Sequence, residues 1–512
     1  MIMKKISILF LVSFVFFMYT SCNEWLDVRS KEEILQEDAF KQGGGYRSAL
    51  VGIYRLLADQ KLWGKELTWG FASAAGRNYS VSSLGNSAAY RAVMEGKGST
   101  YERYIDAVLA GIWETGYNAI ANCNNLLKNI ETTDNSIFVF PWERDMIIAE
   151  ARGIRALVHF ELLRYFVAAP ITGYKGVAIP YVRDYPEMSP LYNSLDEVLE
   201  FIIEDLEFAR ETLRYVDIDC LFEPNIMSYI STYLFQGIQN FLEDGNYGNG
   251  FGFFSKRITR MNYWGATALL ARVYSYKRDN AKAVEYIDEL LDEWAVKGKS
   301  NFGFGWYQYD SNPNKIDGKR CPEPLLCFWN KNNMDNYKTA AGTNYMKMNT
   351  LNSLFGADID TDYRYIALYD QKNRDYRVWK EPNDPAYDMT SHQTRTFMTH
   401  FSGLLPVIEL PELYYIKCEY FAEEGLLDQA AETLKMVKDS RGIVTPTAAE
   451  DYNSFMEILI NDATRDFLTR GQTWHYLKKL NWPVIYDGKP VLMEVPEGYY
   501  VFPIPESETN FY

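Results

Sequence analysis

Histidine, cysteine and positive charge are all scarce in this chain of 512 residues. The four histidines are His159, His392, His400 and His475, and no two lie three to five residues apart. A helix that grips a metal with two histidines needs such a spacing, so the sequence implies no metal site of that kind. Six cysteines in a chain this long do not make a disulfide-held miniature domain. A chain of this length buries enough apolar surface without one, and no cofactor motif is present. Lysine and arginine number 52 against 68 acidic residues, a net charge of −16. A duplex-binding protein needs a basic face to neutralise phosphates, so the composition argues against a nucleic-acid partner. After residue 22 no apolar run is long enough to span a bilayer. Catalytic signatures are missing as well: there is no G-x-S-x-G elbow, P-loop or G-x-G-x-x-G. Gly43-Gly44-Gly45 is a lone glycine cluster that reads as the lead-in to a helix. Glu204-Asp205 and Glu423-Glu424 are adjacent acids on helical patterns. Neighbours on a helix point about 100° apart, so neither pair converges on one glycosidic bond. Both pairs read as exposed, solvating faces.

Aromatic residues, by contrast, make up 16% of the chain, led by 39 tyrosines. Flat rings with polar tips suit cores, interfaces and carbohydrate sites. The N-terminus carries Lys4 and Lys5, a mostly apolar run from Ile6 to Tyr19, then Thr20-Ser21-Cys22. This pattern is a signal peptide, and the cysteine after a small residue resembles a bacterial lipobox, with Tyr19 where leucine is usual. Cleavage before Cys22 would leave a lipid-bearing N-terminal cysteine and no need of a spanning helix. Of the later cysteines, Cys321 and Cys327 are near enough for a local disulfide in an oxidising compartment. Cys123 and Cys418 sit in helical patterns and read as small buried hydrophobes.

The body is mainly α by periodicity. Apolar stripes at helical spacing run over 46–59, 109–130 and 144–167. Ser194 with Glu197 forms a capping-box signature, and Asp196 suits the first-turn dipole. Two segments match each other: Ala271, Tyr274, Ala283 and Ile287 in one, Cys418, Phe421, Ala430 and Leu434 in the other. Each has a polar turn in the middle and resembles a tetratricopeptide helix pair, whose small residues let two helices approach closely. Long aromatic, Gly- and Asn-rich stretches separate the helical parts and predict excursions with short strands. The expected organisation is a signal peptide over 1–21, a lead-in over 22–45 and one domain over 46–512. Its helical spine draws on 46–61, 109–215, 263–294 and 408–482. A loop-rich subdomain draws on 62–108, 220–262 and 295–407.

Several segments together resemble the SusD/RagB family of surface lipoproteins from Bacteroidetes. Ser21-Cys22 followed by Leu26-Asp27 resembles its mature start. Trp113, Tyr117, Ile120 and Asn124 resemble its W-x3-Y-x2-I-x3-N helix, and Glu150 to Ala156 its E-x4-R-A motif. Ala178-Ile179-Pro180 stands where members have V-P-L. Leu413 to Gly442 resembles its repeat pair, ending in Arg441-Gly442. Arg465-Asp466-Phe467 through Gly471-Gln472 resembles R-E-F-x-x-E-G-x, with Asp466 for Glu and Arg470 for the second Glu. Phe502-Pro503-Ile504-Pro505, with Glu508, resembles the closing P-I-P-x-x-E. The resemblance implies a SusD-like fold and a non-catalytic binding protein on the outer face of the outer membrane. It also implies a SusC-like TonB-dependent transporter as partner and a glycan, or in some members a peptide, as ligand.

A sugar offers apolar C–H faces and hydroxyl edges, which suit an aromatic platform beside amide, guanidinium or carboxylate groups. Trp69 with Arg77, Asn78 and Tyr79 supplies this in one loop. Trp306-Tyr307-Gln308-Tyr309-Asp310 supplies it in a second, with Trp329 downstream. By position these are the regions from which the resembled family draws its ligand surface. The competing expectation for each tryptophan is a place in the core. Trp474, Trp482 and His159 read as packing residues. Two other readings remain: capture of basic peptides steered by the acidic surface, and a helical glycoside hydrolase.

Overall fold

The computed structural model describes residues 38–80, 84, 87–95, 101–220, 253–254, 257–295, 306, 323–333, 336, 346–370, 375–376, 403–486, 489–490, 495 and 498–509. Cys22, Tyr307, Tyr309 and Cys321 lie outside them, as do the signal peptide and lead-in up to residue 37. The fold is mainly α, with few strands, as the periodicity predicts.

Helix α1 (Gly43–Leu57) is followed by a wound segment, α2 (Phe71–Ala75) and α3 (Ala88–Glu95). Then come α4 (Tyr101–Ile130), α5 (Glu143–Phe166) and α6 (Leu195–Arg214). Helix α4 starts eight residues earlier than the stripe predicts, and two short helices occupy the stretch expected to be loop. Helix α5 is the hub. It packs against α4 and α6, and nearly every side chain from Met146 to Phe166 is buried. Such a helix is buried on all sides rather than along one stripe, and its charged residues, Glu150, Arg155, Glu161 and Arg164, are paired within the protein. Helix α6 opens as expected: the Ser194 hydroxyl accepts from Glu197 N–H, and Glu197 Oε2 accepts from Ser194 N–H at 2.8 Å.

The two matching segments are both helical hairpins. The first is α7 (Tyr263–Tyr276) with α8 (Asn280–Glu293). Next in the chain come β1 (Pro324–Trp329), β2 (Met346–Lys347), α9 (Met348–Phe355), α10 (Tyr363–Leu368), β3 (Tyr369–Asp370), β4 (Asp375–Tyr376) and β5 (Leu404–Glu409). The second hairpin is α11 (Leu410–Glu423) with α12 (Leu427–Ser440). All four helices have 14 residues, and the second copy begins 147 residues after the first at both 263/410 and 280/427. The turns also correspond. Arg278 has φ 72° and Gly425, its counterpart, has φ 74°. Only glycine enters that region without a Cβ penalty. Cys418 and Cys123 are buried, as expected. The chain closes with α13 (Tyr452–Phe467), α14 (Thr473–Leu480), a β6–β7 hairpin (Ile485–Tyr486, Lys489–Pro490) and α15 (Glu506–Thr509).

Strands β1 and β5 pair antiparallel, with Pro324 opposite Glu409 and Trp329 opposite Leu404. Short strands are present as expected, but this ribbon is no peripheral excursion. Leu325 to Phe328 and Leu404 to Ile408 are all buried. Gly265 of α7 lets the ribbon approach, because a Cβ there would lie 3.0 Å from Leu326 Cβ. Asn262 caps α7 and donates from Nδ2 to the Leu325 carbonyl at 3.2 Å. A segment buried on both faces reads as a continuous apolar run, which hides its strand period.

Two of the acidic expectations need correction. Glu204 is exposed, but Asp205 is wholly buried beneath Arg152 and Arg155. Glu423 is not merely solvating either, because it ties the two hairpins together through Arg278 and Asn280.

Replacing Gly425 by alanine meets no atom within 4 Å. Its cost is therefore the left-handed backbone alone, about 1–2 kcal/mol, and urea unfolding is expected to show that loss. Arg278→Gly, at the matching turn, is expected to change stability in the opposite direction, offset by the weak pair with Glu423.

Candidate functional site

Among the described residues, most of the charged motif residues that carry the family resemblance lie inside the protein. Glu150 is fully buried and receives Arg260 at 2.7 and 3.0 Å, Tyr54 Oη at 2.5 Å, and Arg257. Arg155 donates to Asp205 at 2.8 and 2.9 Å and to Asn124 Oδ1 at 2.8 Å. Burial alone would raise the Asp205 carboxyl, but Arg155, Tyr181 and Arg152 hold it below the usual carboxylate range. Asn124 in turn donates to the Val182 and Asp184 carbonyls at 2.9 and 3.3 Å, so it pins the segment after Pro180. Arg465 and Asp466 join a second network with Arg364, Arg441 and Asp362, and Arg470 pairs with Glu409 at 2.8 Å. These motifs record internal charge pairing, not a ligand site.

His159 is a satisfied core histidine, as expected. Nε2 accepts from Val182 N–H at 3.1 Å, which leaves the proton on Nδ1 for the Arg155 carbonyl at 2.8 Å. Burial pushes its imidazole down to about 3. Trp474 is buried and stacks on Phe502 at 4.7 Å, which fits packing, and Trp482 is half-buried against the core.

The first candidate loop faces inward. Trp69, Tyr79 and Asn78 have relative exposures of 0%, 2% and 3%. Tyr79 Oη donates to the Trp69 carbonyl, and Asn78 Oδ1 accepts from Thr473 of α14 at 3.2 Å. Glu66 Oε2 takes Phe71 N–H at 3.0 Å and Tyr90 Oη at 2.7 Å, which winds the segment tightly. A ring enclosed by protein has no face for a sugar, so Trp69, Asn78 and Tyr79 are corrected to packing residues. The signal was available: Leu67, Trp69, Phe71, Ala72, Ala74 and Ala75 mix large rings with small residues, as close packing requires. Only Arg77 of this group is partly exposed, in a left-handed turn with φ 60°.

The second group divides. Trp306 is half-buried, 4.9 Å from Tyr414, with the Arg441 guanidinium 5.9 Å above its ring. Arg441 grips Glu323, the residue just before β1, at 2.5 and 2.7 Å. Trp306 therefore sits near one end of the ribbon. Trp329 emerges at the other end with 47% exposure. Five residue steps at about 3.3 Å put the two ends roughly 17 Å apart. The two tryptophans do not form one platform. Tyr307, Gln308, Tyr309 and Asp310 lie outside the described residues.

Trp329 is held rather than loose. A Cβ on Gly403 would lie 2.5 Å from its Nε1, so glycine lets the backbone run along the indole. Asn330 N–H donates to the Gly403 carbonyl at 2.8 Å, and Asn330 Nδ2 donates to the Ala58 carbonyl at 2.8 Å, at the end of α1. Lys331 and Asn332 are exposed beside it. The arrangement offers a pre-set aromatic face with amide and ammonium groups at its edge, the mixture that fixes a polar ligand over an apolar contact.

A further groove of about 500 Å³, missed from sequence, runs along α4, α5 and α6 past Asn124, Lys128, Arg152, Arg183, Tyr185 and Phe208. Its guanidiniums are engaged, Arg152 with Asp205 and Arg183 with Glu204, both at 2.7 Å. Among the described residues no group of acidic, histidine or cysteine side chains could hold a metal ion, and no helix is long and apolar enough to cross a membrane.

Residues 24–223 match the SusD-like family described as starch-binding and associating with the outer membrane. Solved structures share the fold over nearly the whole chain. A SusD-like carbohydrate binding protein from Bacteroides vulgatus superposes with a TM-score of 0.65 at 16% identity, covering 92% of this chain and 96% of that one. A SusD superfamily protein from Bacteroides thetaiotaomicron gives 0.61 at 18% identity, with 93% and 97% covered. Another from Bacteroides vulgatus gives 0.64 at 16%, with 91% and 96% covered. No curated protein sequence matches.

Trp69→Ala is expected to cost about 3–5 kcal/mol, as for a large ring removed from a core. Trp329→Ala should leave the unfolding midpoint unchanged, and thermal unfolding of the pair checks both. Stability also carries a pH signature from His159. An unfolded histidine titrates near 6.5, whereas the folded one stays neutral down to about 3. Acidification through that window protonates only the unfolded state, so stability falls as pH falls. His159→Gln keeps an acceptor for Val182 and cannot titrate. It is expected to flatten the slope by about 1 kcal/mol per pH unit on average, approaching about 1.4 at the acid end, read from urea midpoints between pH 7 and 5. Residues 24–223 thus resemble the SusD-like family, and the fold of the chain is the one found in solved SusD-like proteins.

Proposed function

We propose that this protein is a non-catalytic glycan-capture protein of the cell surface. Cys22 carries the lipid anchor, and the captured oligosaccharide passes to a SusC-like TonB-dependent transporter. The observation that carries the reading is the half-exposed Trp329, clamped by Gly403 and Asn330 beside exposed Lys331 and Asn332. A fixed indole presents one face to the C–H side of a sugar ring at little entropic cost. The family description, starch-binding and associated with the outer membrane, supports the same ligand class and location. SusD-like proteins are binding proteins, and none of the acid pairs singled out in the sequence converges on one bond. Asp205 is neutralised by two arginines, and Glu423 is held by Arg278 and Asn280. Trp306 and Arg77 remain candidate contacts at the ribbon's other end and on the first loop. Capture of basic peptides is the second reading, favoured only by the net charge of −16.

The test is a binding panel with residues 23–512: neutral polysaccharides, oligosaccharides and basic peptide pools, read by affinity electrophoresis and calorimetry. Glycan binding by the parent is expected to be insensitive to salt and to weaken at least about tenfold in Trp329→Ala, since stacking on one ring is worth roughly 1–3 kcal/mol. Salt-sensitive peptide capture without glycan binding would reverse the choice of ligand. Intact-mass measurement of the native protein should find acyl chains on Cys22.

A further inference from the structure

The groove along α4, α5 and α6 lies well away from Trp329. Asn330, next to that ring, holds the Ala58 carbonyl, and three residues on the Lys61 stem runs 3.5 Å from where a Cβ on Gly111 of α4 would stand. The groove meets the same helix at Asn124 and beyond. From Gly111 to Asn124 is roughly 20 Å of rise and about 220° of rotation, so the groove occupies another flank of the protein. Its volume of about 500 Å³ falls within the roughly 300–1,000 Å³ of small-molecule sites.

The floor of the groove is saturated and its walls are not. On the floor, Arg155 commits Nε and Nη2 to Asp205 and Nη1 to Asn124, and Asn124 commits its amide to the Val182 and Asp184 carbonyls. On the walls, the Arg152 guanidinium stands 4.1 Å from the Phe208 ring centre and that of Arg183 4.3 Å from the Phe201 ring centre, which fixes both. Arg183 donates to Glu204, but its Nε is buried with no partner among the described residues. Lys128 gives one hydrogen to the Tyr185 carbonyl at 3.2 Å. Lys128, Glu131 and Asp184 are exposed around the groove, and among the described residues none of the three has an ion-pair partner.

These features select a ligand class. Charge is balanced: Arg152 and Arg155 share Asp205, Arg183 takes Glu204, and Lys128 stands with Glu131 and Asp184. Neither an anion nor a cation finds a surplus of the opposite sign. Free donors on Arg183 and Lys128 share the groove with free acceptors on Glu131 and Asp184. A hydroxyl serves both kinds at once, because it donates one hydrogen and accepts two. A sugar ring carries several hydroxyls at fixed spacing, and Leu127 and Ile148 offer an apolar contact for its C–H face. An extended peptide pairs with a strand edge, and no strand residue lines this groove.

We propose that this groove is a second glycan site, which takes a short run of a neutral, hydroxyl-rich chain independently of Trp329. Its ligand class rests on the glycan reading above, but its location does not.

The test uses residues 23–512 and four neutral trisaccharides, maltotriose, cellotriose, mannotriose and xylotriose, too short to bridge the two sites. Calorimetry is expected to give two bound per chain for at least one of them, and one in Trp329→Ala. Arg183→Met keeps a stem over Phe201 and removes the guanidinium. Asp184→Ala removes an unpaired carboxylate and leaves the carbonyl that Asn124 holds. Placed in the Trp329→Ala background, each is expected to weaken the remaining binding by about tenfold, the loss of one hydrogen bond to a charged group, with the thermal midpoint unchanged. Crystals soaked in the same trisaccharide should show a sugar within hydrogen-bond reach of Arg183 or Asp184. Binding that vanishes in Trp329→Ala and is untouched by Arg183→Met and Asp184→Ala overturns the second site and leaves Trp329 standing. Binding lost in the groove variants but not in Trp329→Ala keeps the groove and removes Trp329 from the site. A parent that binds none of the four sugars, or groove variants that lose basic-peptide binding instead, overturns the proposal.

Discussion

Buried arginine must be matched, and most of this architecture follows from that requirement. Arg364 and Arg441 have no exposed surface at all. Arg364 reaches Asp362 at 2.8 Å, Asp462 at 2.7 Å and Asp466 at 3.2 Å, and Arg441 reaches Glu323 and Asp466. Tyr415 of α11 closes the ring on Asp462 and Asp466 at 2.9 and 2.5 Å. Breaking one partner in such a set strands a charge, typically at a cost of about 3–5 kcal/mol. The network therefore fixes α10, α11, α12, α13 and the start of β1 relative to one another. Because Glu323 is held, the ribbon's register is held. The far end, where Trp329 emerges, inherits that position.

A second cluster does the same for the other hairpin. Glu150 of α5 ties Tyr54 of α1 to Arg257 and Arg260, just before α7. Asp217 then links Arg257 to the first turn of α7 through Tyr263 N–H at 2.8 Å. The rigid spine and the pre-set indole are one construction: pairing of charge inside sets the geometry of a ring outside.

Much of the spine was legible in the sequence. The matched Ala271/Cys418, Tyr274/Phe421 and Ala283/Ala430 positions translate into hairpins of equal length at one fixed offset. The Ser194–Glu197 cap and the buried His159 also followed from local chemistry. The site was legible only in part. Aromatic residues beside Asn and Arg have the same one-dimensional signature whether they line a surface or a core. Trp69 and Trp329 illustrate this: one is flanked by small residues that let α14 close over it, and the other stands where a ribbon ends. Burial of both strands erased the alternation that would have announced β1 and β5. The pairing of Arg441 with Glu323 spans more than a hundred residues, beyond any local pattern.

The antiparallel pairing of β1 with β5 has a consequence for how such a protein diversifies. The ribbon clips together residues 330 and 403, and between them Asp358, Asp362 and Arg364 return to the core as partners of α13. Lengthening a closed loop is cheap, about 0.6 kcal/mol for each doubling, and the loss falls on the loop rather than on the hairpins it separates. Insertions are therefore tolerated only outside the segment from α9 to α10, because losing Asp362 and Arg364 would strand Asp462 and Arg465 in the core. Trp329 and Gly403 stand at the two edges of this span, outside that network.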